Sequence, residues 1–211
     1  MSAARQEAGL RAALSGSHEH APRPMVDLEL PALVRKALLP SMALLKPAAV
    51  LVPLLRRDAG LSVLLTRRAD TLRHHRGQIS FPGGRRDPED QSFADCALRE
   101  AEEEVALPRA QVEVIGYLDD YPTVSRYLVT PVVALVQPPP AFRFDPGEVA
   151  EVFEIPLSAV LDRGRFQRGM LNRDGFRLPF LELQHESWRI WGATAGMLWD
   201  LSRKVNIHLA E

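Results

Sequence analysis

The chain has 211 residues, 46% of them hydrophobic, and a formal net charge of −1. That length supports one globular domain with a sizeable core, or a domain with a tail. Near-zero charge argues against nonspecific binding to nucleic acid or anionic membrane, both of which need a basic surface, and a single cysteine, Cys96, excludes an intrachain disulfide and favours a reducing compartment.

Residues 1–27 are rich in Ala, Ser, His and Pro and show no hydrophobic period. They are expected to be a mobile tail, with residues 28–211 forming one domain. LPALVRKALL at 30–39 has the spacing of a short amphipathic helix. Two strand-like runs follow, AAVLVPLL at 48–55 and SVLLT at 62–66, joined by RRDAG with turn chemistry. A basic loop ending in FPGG leads into a helix that starts near Ser92. The Ser92 hydroxyl can cap it, and Asp95 three residues on completes a capping-box pattern. VEVIGYL at 112–118 and YLVTPVVALV at 127–136 read as strands, followed by the Pro-rich loop QPPPAFRFDPGE. VAEVFEIPL, FRLPFLEL and SWRIWG give further short strands, and ATAGMLWDLSRKVNIHL closes the chain as an amphipathic helix. Strands interleaved with helices, without repeats or a linker between two cores, predict an α/β sandwich. The longest apolar runs fall short of the ~20 residues a spanning helix needs. Neither end matches a targeting signal, so a cytoplasmic location is expected.

The stretch REAEEEVAL at 99–107 puts four glutamates into five positions, at the helix end where the macrodipole disfavours negative charge. At about 100° per residue, Glu100, Glu103 and Glu104 share one face, while Ala94, Leu98, Ala101 and Val105 define an opposing apolar side. Glu102 points elsewhere, toward solvent. Like charges on one face repel by roughly 0.2–0.5 kcal/mol per pair, and a divalent cation reverses that sign. Oxygen-only ligands are what Mg²⁺ or Mn²⁺ prefers, with waters and substrate phosphates completing the shell. The competing reading is a solvated Glu-rich helix end. Gly83 and Gly84 just before the helix let backbone approach a metal or phosphate closely, although Pro-Gly is more often a plain turn.

Gly84 together with Arg99-Glu100-Ala101-Glu102-Glu103-Glu104-Val105-Ala106-Leu107 resembles the Nudix box, G-x5-E-x7-R-E-U-x-E-E-x-G-U, where U is aliphatic. LLTRRADTLRHHRGQISFPGG at 64–84 is similar to the signature of the coenzyme A pyrophosphatase branch of that family, L-L-T-x-R-[SA]-x3-R-x3-G-x3-F-P-G-G, and meets every fixed position. GEVAEVFEIPL at 147–157 and IWGATAGML at 190–198 extend the resemblance over most of residues 45–200. Two departures stand out. Gly84 lies fifteen residues before Arg99, one more than the general box allows, so Gln91 takes the mid-box Glu position and Asp90 is the candidate partner for Arg99. Ala106 replaces the helix-ending Gly, at a cost on the order of 1 kcal/mol if the left-handed conformation is kept.

The resemblance implies a Nudix fold, an α/β/α sandwich with a mixed central sheet and the Nudix loop-helix. It implies Glu100, Glu103 and Glu104 as ligands of Mg²⁺ or Mn²⁺, with Glu103, Glu104 or the loop acid Glu148 activating water, and Glu151 as second choice for the loop acid. Arg68, Arg73, Gly83 and Gly84 are its candidate substrate-binding residues; Arg67 and Arg76 add charge to the same stretch, which otherwise reads as a solvated basic loop. Arg99 is expected to brace the loop. The implied reaction is metal-dependent hydrolysis of the diphosphate of coenzyme A or a derivative, giving 3′,5′-ADP and 4′-phosphopantetheine. The alternatives are another nucleoside diphosphate derivative, such as ADP-ribose or NADH, or a non-catalytic nucleotide-sensing module. No nucleic-acid or membrane partner is implied, and a homodimer is left open. Cys96, the loop histidines His74 and His75, and Trp188, Trp191 and Trp199 read as structural or surface residues.

Overall fold

The structure is a computed structural model and describes residues 1–19, 44–71, 76–137, 142–173 and 176–209. An eight-stranded mixed sheet forms its centre. The main path runs β3 (Ile79–Ser80), β2 (Gly60–Arg68), β1 (Lys46–Arg57), β7 (Tyr127–Val136) and β5 (Val112–Tyr117). Off this path, β4 (Gly83–Arg85) pairs with β1, β6 (Tyr121–Pro122) with β7, and β8 (Val149–Pro156) with β2. The β1–β7 ladder is parallel, from Lys46 opposite Tyr127 to Leu55 opposite Val136, and the other pairings are antiparallel. A second sheet orders β9 (Phe166–Arg173), β10 (Phe176–His185) and β11 (Trp188–Trp191) as an antiparallel meander.

The sheet is covered on both faces, which is why AAVLVPLL and YLVTPVVALV are continuously apolar rather than alternating. Along β1, Ala49, Leu51 and Leu55 face one core, where they meet Cys96, Ala97, Ala101 and Val105 of α2 (Phe93–Val105). Ala48, Val52 and Leu54 face the other. There they pack with α1 (Ala3–Leu14), α3 (Leu157–Leu161) and α4 (Ala193–Leu209). The period of two in the strand thus sorts one continuous hydrophobic run into two layers. The result is the expected α/β/α sandwich.

The expectation of a mobile tail over 1–27 fails for the described part of that segment. Ala3–Leu14 is a helix, capped by Ser2 and packed against α4, with Leu10 and Leu14 fully buried. Gln6 is buried as well, its side chain accepting a hydrogen bond from the Leu61 N–H at 2.6 Å. Only two large apolar side chains carry this packing, and Gln6, Gly9 and alanines make up the rest of the face, so the sequence showed no period. The helix expected at 30–39 lies outside the described residues. Part of the loop expected before α2 is extended, as β3 and β4. No helix among the described residues is long and apolar enough to cross a membrane.

Candidate functional site

Helix α2 is fixed at both ends by local chemistry. The extended Ser92 accepts a hydrogen bond from the Asp95 N–H at 2.9 Å, and the Asp95 carboxylate turns back to the Gln91 N–H at 3.0 Å. At the other end Ala106 holds the left-handed conformation, φ 52° and ψ 39°, which a glycine would occupy without strain. Burial of Cys96, Ala97, Ala101 and Val105 against β1 and β7 sets the roll of the helix. That roll grades the glutamates: Glu102 and Glu103 are exposed, Glu100 is partly covered, and Glu104 is buried at 7% exposure. Glu102 faces Arg109 at 3.6 Å, off the face of the other three.

Arg99 is the hub of the loop before α2. Its Nε and Nη2 donate to the two oxygens of Asp90 at 2.9 and 3.0 Å, and Nη2 also reaches the Arg85 carbonyl at 3.3 Å. Its Nη1 donates to Glu100 at 2.9 Å and to Glu103 at 3.3 Å. The bidentate bond from Arg99 holds the Asp90 carboxyl down at about 2, against its burial. Arg99 therefore braces the loop, and Asp90 supplies the carboxylate that the mid-box position lacks. Cys96 lies beneath this brace, and burial, with Asp90 nearby, pushes its thiol up to about 12, so it carries no reactive thiolate.

Glu104 has the opposite environment. Its nearest cation is Arg68, with Nη1 at 3.9 Å, too long for a hydrogen bond. Burial pushes the Glu104 carboxyl up to about 7; Glu100 and Glu148 push the same way, while Arg68 and a hydrogen bond from the Gly83 backbone oppose. Burial likewise raises the Glu100 carboxyl, against the pull of Arg99. Gly84 lies directly under Glu100: a Cβ there would stand 2.5 Å from the Glu100 carboxylate, so a larger residue would displace that side chain from its present position. The buried Arg68 Nε has no hydrogen-bond partner among the described residues.

The sheet and helix thus bring Arg68, Gly83, Gly84, Glu100, Glu104 and Glu148 into one neighbourhood. Glu148 is exposed on the loop entering β8, and its carbonyl accepts from the Ala69 N–H at 2.9 Å. Glu151 instead faces Arg67 at 3.7 Å, and Arg67 also bonds Asp70 at 3.2 Å. Arg73, His74 and His75 lie outside the described residues. The donor set is all oxygen, and Glu104 is a buried acid repelled by two others, a combination relieved by a hard divalent cation. Among the described residues no three acidic, His or Cys side chains converge on one point, Glu100 and Glu103 being drawn to Arg99. In donor chemistry the residues fit Mg²⁺ or Mn²⁺; seating one requires Glu100 and Glu103 to turn from the guanidinium.

Sequence reading missed Glu19, whose carboxylate accepts from the Phe93 N–H at the first turn of α2. It sits in a segment without periodicity, 74 positions from its partner, so no local pattern marks it.

The NUDIX domain family model matches residues 45–173. The uncharacterized Nudix hydrolase NudL of Yersinia pestis (strain Pestoides F) is 45% identical over 160 residues, covering 76% of this chain and 80% of that protein. NudL of Yersinia pseudotuberculosis serotype O:1b (strain IP 31758) matches to the same extent. Among solved structures, a C. elegans Ap4A hydrolase binary complex aligns with 53% of this chain and 80% of its own, at 20% identity and a TM-score of 0.46.

Proposed function

The chain belongs to the Nudix hydrolase family, a pyrophosphohydrolase of nucleoside diphosphate derivatives, and on that premise we propose that it hydrolyses the diphosphate of coenzyme A or a derivative. The observation that carries the substrate is the run from Leu64 to Gly84, which meets every fixed position of the coenzyme A pyrophosphatase signature. The described part of this run forms the end of β2, β3 and the start of β4, and sets Arg68 beside Glu104.

In this reading Glu100, Glu103 and Glu104 hold Mg²⁺ or Mn²⁺, which when bound neutralises the diphosphate and activates water. Glu104 is the acid best suited to take the proton from that water. Its carboxyl sits near 7 in metal-free protein, a buried acid that a bound cation would hold ionised and able to accept a proton, whereas Glu103 is exposed and tied to Arg99. Glu148, close enough to raise the Glu104 carboxyl, is the second acid at the site. Arg68, partly exposed beside Glu104, is the cation placed to meet a phosphate oxygen. Gly83 and Gly84, which lie against β1 and the Glu100 carboxylate, are assigned to substrate by the signature, as is Arg73. Positioning and charge stabilisation then account for most of the catalysis.

The test is product identity. Incubated with Mg²⁺ or Mn²⁺ and coenzyme A, the protein should yield 3′,5′-ADP and 4′-phosphopantetheine by chromatography. Unchanged coenzyme A, in a preparation that cleaves ADP-ribose or NADH, overturns the substrate assignment and leaves the family activity standing.

A further inference from the structure

The helix that carries the acids is pinned at its start by the far end of the chain. After α1, the Ser17 hydroxyl donates to the Leu14 carbonyl at 2.7 Å and accepts from the Tyr117 N–H at 2.9 Å. That N–H belongs to β5, at the edge of the main sheet path. The crossing is close because the residue just after the bulge in β5 is Gly116, at φ +154°; a Cβ there would stand 2.5 Å from the Ser17 Oγ and 2.7 Å from the Leu14 Cβ. Two residues on, one oxygen of Glu19 accepts from the Phe93 N–H at 2.8 Å and the other from the Tyr117 hydroxyl at 2.8 Å.

Phe93 N–H is one of the donors a helix start leaves unpaired, and Ser92 satisfies a different one, that of Asp95. Glu19 therefore adds a second cap and places a full negative charge where the helix dipole favours it. The same first turn is tied to the loop: the Arg86 guanidinium lies over the Phe93 ring at 4.8 Å and donates to the Asp90 and Gln91 carbonyls at 3.2 and 3.3 Å. Helix α2 has one rigid axis, so a slip or roll at Phe93 is carried to Glu100, Glu103 and Glu104 within two to three turns.

We propose that Glu19 is a positioning residue for the α2 acids, acting through the Phe93 N–H and held in place by the Tyr117 hydroxyl. This rests on the reading that those acids hold the divalent cation. The N-terminal segment, outside the matched residues 45–173, is then part of the working enzyme.

The experiment uses the full chain as wild type, Glu19→Ala and Glu19→Gln, and reads two quantities without substrate: affinity for Mn²⁺ alone by calorimetry, and amide hydrogen exchange at residues 93–96. Glu19→Ala should weaken Mn²⁺ binding about three- to tenfold and speed exchange by a similar factor. Glu19→Gln keeps an acceptor for Phe93 and should recover part of both. Faster exchange with unchanged Mn²⁺ affinity overturns the proposal, leaving Glu19 as a cap only. Unchanged exchange overturns it too. Wild-type protein that binds no Mn²⁺ removes the metal reading itself, which is distinguishable because the exchange result still reports whether Glu19 holds α2.

Discussion

The loop before α2 and the end of α2 each present one nearly enclosed acid, Asp90 at 6% exposure and Glu104 at 7%, and each acid faces one arginine. Their carboxyls move in opposite directions, to about 2 and about 7. Arg99 meets Asp90 with two donors at 2.9 and 3.0 Å, and those bonds outweigh desolvation. Arg68 stops 3.9 Å short of Glu104, so desolvation wins. A two-donor contact at Asp90, against deep burial without such a contact at Glu104, separates a permanently charged brace from a group that changes protonation near neutrality in metal-free protein.

The comparison breaks most visibly at the titrating end. Glu104→Gln should reduce kcat roughly 10²–10⁴-fold while the fold, checked by circular dichroism, is retained. Near-full activity would remove Glu104 from the chemistry. At the brace the loss should be in stability: Asp90→Asn leaves the Arg99 charge short of its main partner and should lower the free energy of unfolding by about 2–3 kcal/mol in urea titrations.

Acid and base should act oppositely at the two ends. The Asp90 carboxyl is lowered from 3.8 to about 2, so its contribution, ~2 kcal/mol, is present above pH 3.8 and lost as pH falls through 2. The Glu104 carboxyl is raised from 4.5 to about 7, so its contribution in metal-free protein is full below pH 4.5 and lost as pH rises through 7. Urea midpoints measured against pH should therefore sag toward neutrality without metal, and Glu104→Gln should flatten that slope. The smallest effect concerns the helix end. Ala106→Gly relieves the left-handed strain and should stabilise by about 0.5–1 kcal/mol with activity unchanged.

These contrasts were unequally legible in the sequence. Short apolar runs separated by turn residues located β1, β2 and β7, and ATAGMLWDLSRKVNIHL matches α4 residue for residue. Ser92 and Asp95 announced the start of α2, and the mismatch in box spacing pointed to Asp90 as the partner of Arg99. Local pattern could not show that Glu104 lies on the buried flank while Glu103 is exposed, since both share the predicted face; the seating of Cys96 and Ala97 on the sheet decides it. Strand β9 was missed because half of FQRGMLNR is polar, and it becomes a strand through its ladder with β10. Helix α1 and Glu19 were missed because their contacts lie about 50 to 200 positions away in sequence.

The most direct test of the central claim is a competition assay. With coenzyme A, ADP-ribose and NADH at equal concentration in one Mg²⁺-containing mixture, the ratios of their consumption rates give the ratios of kcat/KM. Coenzyme A should be consumed at least about tenfold faster than either rival. Faster consumption of ADP-ribose or NADH would contradict the account.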